Sequence, residues 1–373
     1  MTPRPVPLVD LRAQMAELSP DVEHDVLSVL STAGFIGGSQ VESFEREYAA
    51  FSQVNHCVGL ANGTDAVELA LRALGVTSKH EVIVPANTFV ATAEAVARIG
   101  ATLVLVDVLP DTLLMDPALV PGAITDRTKV VVPVHLYGQL ADVDRIRAAV
   151  GGSDVAVLED AAQSHGASDG TRVSGGFGDA AATSFYPGKN LGAAGDAGAV
   201  TTPDADVAQR VRLLSNHGSP SKYLHEVVGY NSRLDAIQAV VLRHKLRRLA
   251  AWNARRSELA ERYTRLLADV PDVQTPTCAK PSAHVWHLYV VEVPERDGVL
   301  KLLHGTGVGA AIHYPVPVHL TPAFGDRGYG PGDFPVSERA AGRILSLPIY
   351  PHLTDELQDR VVDAVTAAMT GAC

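Results

Sequence analysis

From about residue 55 to residue 200 the chain alternates between two kinds of apolar spacing. Short continuous runs ("HCVGLANGT", "EVIVPAN", "ATLVLVDV", "KVVVPVHLYG", "DVAVLEDAA") end in turn-forming residues, as strands buried on both faces of a parallel sheet do. Between them lie stretches with helical spacing. In "DAVELALRALG", Ala66, Leu69, Ala70 and Ala73 share one face; "VATAEAVARIG" and the region of "DVDRIRAAV" read similarly. Regular alternation of this kind predicts an α/β layered domain. Such sheets keep their ligand chemistry in the loops beyond the carboxyl ends of the strands. Five polar clusters each follow an apolar run: Asn62-Gly63-Thr64, Asn87-Thr88-Phe89, His135-Leu136-Tyr137, Asp160 to Gln163, and Ser184 to Lys189. They are expected to converge on one crevice.

After about Asp204 the pattern turns helical, through "VAQRVRLLSNHG" and then a long basic segment, Leu242 to Leu267. Its charges are interleaved with Leu and Ala, which reads as the solvated face of an amphipathic helix. The Pro-rich stretch "VPDVQTPTCAKPSAH" breaks the pattern. A smaller unit follows, with a strand "HLYVVEV", a helix "DGVLKLLHGTG", a strand "GAAIHYPV" and a last helix from Thr354. The reading is a large domain over residues 1–250 and a small C-terminal domain over 251–373, with the boundary inside the long helix; 373 residues suit two such units.

Composition narrows the function classes. A formal charge of −11 disfavours nucleic acid and anionic membranes as partners. No apolar run reaches membrane-spanning length, and the opening "MTPRPVPLVDLRAQ" lacks a signal-peptide core. Cys57, Cys278 and Cys373 have no metal-ligand spacing and read as free thiols of a cytoplasmic protein.

The chain has only seven lysines against 24 arginines, and one of the seven, Lys189, sits in "SFYPGKNLGAAGDAGA". Unlike arginine, lysine can lose its proton and act as a nucleophile. One use of such a residue is a Schiff base with pyridoxal phosphate, which needs an amine, an acid for the ring nitrogen, an anion site and a side chain against the ring. Lys189, Asp160, Gly63 with Thr64 and Ser184, and Phe89 supply these. The glycines at 188, 192, 195 and 198 are expected to let the backbone approach a flat ring. Taken singly, Asn62-Gly63-Thr64 is a weak anion-site signal because it is also a good helix cap, and Asp160 also reads as capping the turn after it.

Taken together, these stretches resemble the DegT/StrS-type sugar aminotransferases. The same likeness extends to "ANGTDAVELALRALG", "EVIVPANTFVATAEAV", "LEDAAQSHGA", "NHGSPSKYLHEVVGYNSRLDAIQAVVL", "IHYPVPVHLTPAF" and "LSLPIYPHLT". The resemblance implies a pyridoxal-phosphate enzyme of the aspartate-aminotransferase fold (fold type I), with a mostly parallel central sheet in the large domain and a small C-terminal α+β domain. It implies that Lys189 forms the Schiff base and moves the proton, that Asp160 holds the pyridinium nitrogen, and that Gln163 meets the ring hydroxyl. Phosphate contacts fall on Gly63, Thr64, Ser184 and, from a neighbouring subunit, Asn231; Phe89 lies on the ring. Tyr186, Lys222, Tyr230, His313 and Tyr314 match positions around a sugar nucleotide. A homodimer with shared active sites, a glutamate amino donor and a TDP-linked keto-6-deoxyhexose acceptor are implied too. The wording around Lys189 resembles members that aminate carbon 3; amination at carbon 4 is the alternative.

Other motifs carry less. "GTGVGA" at residues 305–310 ends a helix and does not lead from a strand into one, so it reads as a turn and not a dinucleotide fingerprint. His284 and His287 have the odd spacing that puts neighbours on opposite strand faces, and no metal is expected. The Pro-flanked loop from His313 to His319 reads as extended, with His313 facing substrate and His319 unassigned. A nicotinamide-dependent dehydrogenase lacks its glycine fingerprint here. A non-catalytic regulatory protein on the same fold is opposed by the intact set of Lys189, Asp160, Gln163 and Ser184.

Overall fold

The computed structural model describes residues 5–152, 154–278 and 284–371; Cys373 and part of the Pro-rich break lie outside these. Three helices open the chain, α1 (Leu11–Leu18), α2 (Asp21–Thr32) and α3 (Gly38–Phe51). The alternating region then follows: β1 (His56–Leu60), α4 (Gly63–Ala73), β2 (Glu81–Pro85), α5 (Val90–Ile99), β3 (Thr102–Val106), α6 (Val120–Ala123), β4 (Thr128–Val131), α7 (Val143–Val150) and β5 (Ala156–Asp160). Next come β6 (Ala180–Ser184), β7 (Gly198–Thr202), α8 (Ala205–Ser215) and the 32-residue α9 (Ala236–Leu267). The chain closes with β8 (Tyr289–Glu292), α10 (Arg296–Gly305), α11 (Pro335–Ala341), β9 (Ile344–Leu347) and α12 (Asp355–Thr370).

Seven strands form one sheet in the order β1-β7-β6-β5-β4-β2-β3. Only β7 runs antiparallel to its neighbours. Ser184, the last residue of β6, pairs with Gly198, the first of β7. Residues 185–197, with Lys189 among them, therefore leave the sheet and return to it at a single paired position.

The predicted α4 face is realised: Ala66, Leu69, Ala70 and Ala73 are all at most 1% exposed. Burying one leucine of this kind contributes about 1.5–3 kcal/mol. Asn62 caps the helix, its side-chain oxygen accepting from the Asp65 amide at 2.8 Å.

Long α9 ties two cores together. Its first half packs on α2 and α3. Its second half contributes Leu259, Tyr263 and Leu267 to a core shared with Tyr289, Val291, Leu345, Leu347, Val361 and Val365. Val6, from the start of the chain, joins that second core and bridges to Val308.

Two expectations need correction. Residues 309–316 do not form a strand; a single bridge, Ala311 to Ser346, is all they make, and β8 pairs with β9. Nor are the charges of α9 all solvated: Lys245 is 2% and Arg256 3% exposed. Both fall on the buried stripe 245, 249, 252, 256, 259, 263, so helical periodicity overrode side-chain charge. As read, 305–310 is a turn after α10, with Gly307 at φ +79°.

Candidate active site

The strand ends on the carboxyl side of the sheet surround a cavity of about 530 Å³. Gly63 and Thr64 enter it from the first turn of α4, Thr88 and Phe89 from the β2–α5 loop, and Leu136 from beyond β4. Asp160 and Gln163 arrive after β5, Ser184 at the end of β6, and Tyr186 and Lys189 from the 185–197 excursion. His287, His313 and Tyr314 come from the C-terminal unit. Ten of the thirteen residues singled out in the sequence thus line one cavity (Gly63, Thr64, Phe89, Asp160, Gln163, Ser184, Tyr186, Lys189, His313, Tyr314).

The other three do not line it. Tyr230 packs against the Arg72 guanidinium, 5.3 Å from its ring centroid. Asn231 bridges to Asn216, and Lys222 holds its Nζ 5.1 Å from the Tyr223 ring centroid.

Asp160 is 7% exposed. Its Oδ2 accepts from the Thr92 hydroxyl at 2.7 Å and its Oδ1 from the Ala162 amide at 3.2 Å, so the turn-capping reading and the site reading both describe this carboxylate. Because Thr92 donates its hydrogen to Asp160, the Thr88 hydroxyl, 2.9 Å away, donates to Thr92. Neither threonine role was read from the sequence; their i, i+4 spacing on the entry to α5 was the available signal.

Burial pushes the Lys189 amine down to about 8, with the Asp160 charge holding it partly up. At pH 7 about one molecule in ten then carries a neutral amine, against roughly one in a few thousand for a free lysine. Three imidazoles nearby are held neutral, first by burial and next by the Lys189 charge: His165 is pushed to about 3, His313 to about 4, and His287 well below its ordinary value.

Gln163 is fixed at both ends of its amide. Its Oε1 accepts from the Tyr137 amide at 2.6 Å, and its Nε2 donates to the Tyr314 hydroxyl at 3.1 Å. The Tyr137 hydroxyl in turn donates to the His313 carbonyl at 2.6 Å. Phe89 is half-exposed at the cavity wall, its ring 5.1 Å from that of Tyr314.

The fit of this cavity to pyridoxal phosphate can be judged from its groups. The first amides of α4 and the Ser184 hydroxyl offer donors at a positive helix end, an anion site. They meet closely because residue 63 is glycine: a Cβ there would lie 2.5 Å from the Ser184 Cβ. A buried carboxylate, an amine shifted toward neutrality and an aromatic wall complete the donor set, and the residues fit the group. Gly192 and Gly198 serve a purpose other than the one read from the sequence. A Cβ on either would meet the carbonyl oxygen of Pro187 or Asn62 at 2.3 Å, so they let backbone approach backbone.

His284 and His287 both precede β8: His284 stacks on Trp286 at 3.8 Å, and only His287 reaches the cavity. His319 is buried, with Nε2 3.0 Å from the Glu338 carboxylate. No group of three or more His, Cys, Asp or Glu among the described residues has the arrangement to hold a metal ion. Among the same residues, no helix is long and apolar enough to cross a membrane.

A cavity at the strand ends that holds an amine, a buried hydrogen-bonded carboxylate and a helix-end anion site defines an enzyme of amine chemistry. Residues 17–366 match the model of the DegT/DnrJ/EryC1/StrS aminotransferase family, and the chain belongs to that family. It is 49% identical to the erythromycin biosynthesis sensory transduction protein EryC1 of Saccharopolyspora erythraea, over 97% of this chain and 99% of that one. It is 46% identical to a dTDP-3-amino-3,4,6-trideoxy-alpha-D-glucose transaminase of Streptomyces venezuelae, over 98% of this chain and 96% of that one. Among solved structures, S. venezuelae DesV in complex with a ketimine intermediate superposes with a TM-score of 0.95 at 45% identity, covering 98% of each chain.

Proposed function

We propose that the protein is a pyridoxal-phosphate-dependent aminotransferase that places an amino group, taken from glutamate, on carbon 3 of a dTDP-linked keto-6-deoxyhexose. The observation that carries this is the convergence of Lys189, Asp160, Gln163 and the α4 N-terminus on one cavity, in a chain nearly half identical to an enzyme named for a 3-amino dTDP sugar. Bound there, the cofactor supplies a carbonyl carbon for amines and a ring that accepts electrons.

The chain's own residues do the rest. Gly63, Thr64 and Ser184 would hold the phosphate, with Asn231 of a second copy added in a homodimer. Asp160, kept in place by Thr92 and the Ala162 amide, would keep the ring nitrogen protonated. Gln163 would meet the ring hydroxyl, and Phe89 would cover the ring. Lys189 takes a proton onto Nζ and returns it, a task suited to an amine shifted toward the working pH. Tyr186, His313 and Tyr314 would face the sugar, with Lys222 and Tyr230 of the second copy near the nucleotide. The dimer is supported by apolar side chains left in solvent at Leu30, Phe35, Ile36, Tyr223, Leu224, Val227 and Val228. The division near residue 250 is supported by the two cores that α9 joins, one through Ala239, Leu242 and Leu249 and the other through Leu259, Tyr263 and Leu267.

Incubation with glutamate and a panel of 3-keto and 4-keto TDP sugars tests the assignment. Amine formation on the 3-keto substrates is expected; turnover confined to the 4-keto substrates would overturn the regiochemistry.

A further inference from the structure

Asn190, the residue after the site lysine, starts a hydrogen-bonded chain whose direction is fixed by groups that can only accept. Asn253 Nδ2 donates to the His165 carbonyl at 2.8 Å. Its Oδ1 therefore accepts, from Asn190 Nδ2 at 2.9 Å. The same Asn190 Nδ2 donates to the Val285 carbonyl at 2.9 Å. Asn190 Oδ1 is left as an acceptor, and the group it meets, at 3.2 Å, is Nδ1 of His287. The hydrogen of the His287 ring must then sit on Nδ1, which leaves Nε2 with a bare lone pair.

The arrangement is built into the backbone. Gly166 lies at φ +89°, and a Cβ there would come within 2.9 Å of Asn253 Nδ2. Arg256 donates to the Trp286 carbonyl at 3.0 Å and to the Ile349 carbonyl at 2.8 Å, fixing the segment that carries His287. His287 lines the cavity together with Lys189. The charged and titratable groups acting on the two are Asp160, His165, His313 and Arg256. Burial first, then the Lys189 charge, keeps the ring neutral, so its free nitrogen accepts a hydrogen bond without taking the proton.

We propose that His287 is a positioning residue for Lys189: its bare Nε2 accepts a hydrogen bond from the Lys189 ammonium group and keeps Nζ directed into the cavity. The proposal rests on the reading of Lys189 as the reacting amine. No proton changes owner in this contact; it stabilises the charged amine while that amine carries the proton.

Two substitutions separate this role from a structural one. His287→Gln places an acceptor oxygen where Nε2 lay but gives up the contact with Asn190. His287→Asn keeps a donor for Asn190 but loses the acceptor toward the cavity. The reactivity of Lys189 toward trinitrobenzenesulfonate, followed by peptide mass spectrometry across pH, reports its titration in the full-length chain freed of cofactor. His287→Asn is expected to lower the midpoint by about one pH unit, the effect of losing one hydrogen bond to a charged group, and His287→Gln to leave it near that of the parent. The reverse order, equal shifts or no shift would overturn the proposal. Nitrogen NMR of the histidine-labelled parent gives a second check that depends on no variant folding. A protonated Nδ1 with a bare Nε2 is expected, and the opposite tautomer or a charged ring overturns it. Absence of any cofactor adduct on Lys189 would instead defeat the functional reading, and both measurements would still be interpretable.

Discussion

Two adjacent acids end β5, and only one of them belongs to the site. Glu159 projects to the other face of the sheet from Asp160 and is 0% exposed. Its Oε1 accepts from the Phe177 and Gly178 amides, both at 2.7 Å; its Oε2 accepts from the Gly175 amide at 2.9 Å and lies 2.8 Å from His135 Nε2. His135 Nδ1 accepts from the Ala141 amide, so Nε2 is the nitrogen that donates to Glu159. Replacing Glu159 by Gln keeps the shape but puts an amide NH₂ at one of the two oxygen positions. Whichever way it turns, that NH₂ faces two donors, and each buried donor left without a partner costs about 1–3 kcal/mol. The expected loss is about 2–6 kcal/mol, a large part of the 5–15 kcal/mol typical of a folded domain. Burial alone would raise the Glu159 carboxyl, but the hydrogen bonds from His135 and from the loop amides outweigh it, and the group lies below its ordinary value. Its contribution is therefore complete above the unfolded value near 4.3 and fades as pH falls through the lower, folded one. Denaturant unfolding at pH 7.5 should show the full gap between parent and Glu159→Gln, and the gap should close in acid as the parent carboxyl becomes neutral. Equal stability at pH 7.5 would refute the donor count.

The remaining expectations concern the cavity. Thr92→Val removes one hydrogen bond to the Asp160 carboxylate, and kcat should fall roughly 10- to 100-fold; Thr92→Ser should restore it, and an unchanged Thr92→Val enzyme would dismiss the role. Asp160→Asn should retain bound cofactor, seen in its absorbance, while turnover drops steeply; undiminished turnover would remove Asp160 from the mechanism. In the cofactor-free chain, Lys189 labelling should titrate with a midpoint of about 8, and a midpoint above 10 would contradict the burial argument.

Much of this was legible because strand and helix announce themselves by spacing. The runs at 81–85 and 102–106 are strands in parallel register, Glu81 opposite Thr102 through Pro85 opposite Val106. The stretch 309–316 misled because its apolar residues are real but its backbone is engaged elsewhere. Gly309 is held against Val6, and prolines at 315 and 317 have no amide to donate. β9, a four-residue run before Pro348, shows itself a strand only through its pairing with β8. In α9 the stripe that buries Lys245 and Arg256 is visible in the spacing, and that periodicity outranks the charge of the two side chains. The Asp160 and Lys189 loops could be read because each follows its strand directly. The Asn190, Asn253 and His287 chain joins three segments far apart in sequence, and no local pattern shows such a contact.

Lysine selectivity puts the central claim to its most direct test. Burial lowers Lys245 to about 8, like Lys189, yet only Lys189 shares a cavity with a carboxylate and a helix-end anion site. Full-length protein loaded with pyridoxal phosphate, reduced with borohydride, digested and mapped by mass spectrometry should carry the phosphopyridoxyl group on Lys189 alone. An unmodified Lys189 peptide, or the group on Lys245, would contradict the account.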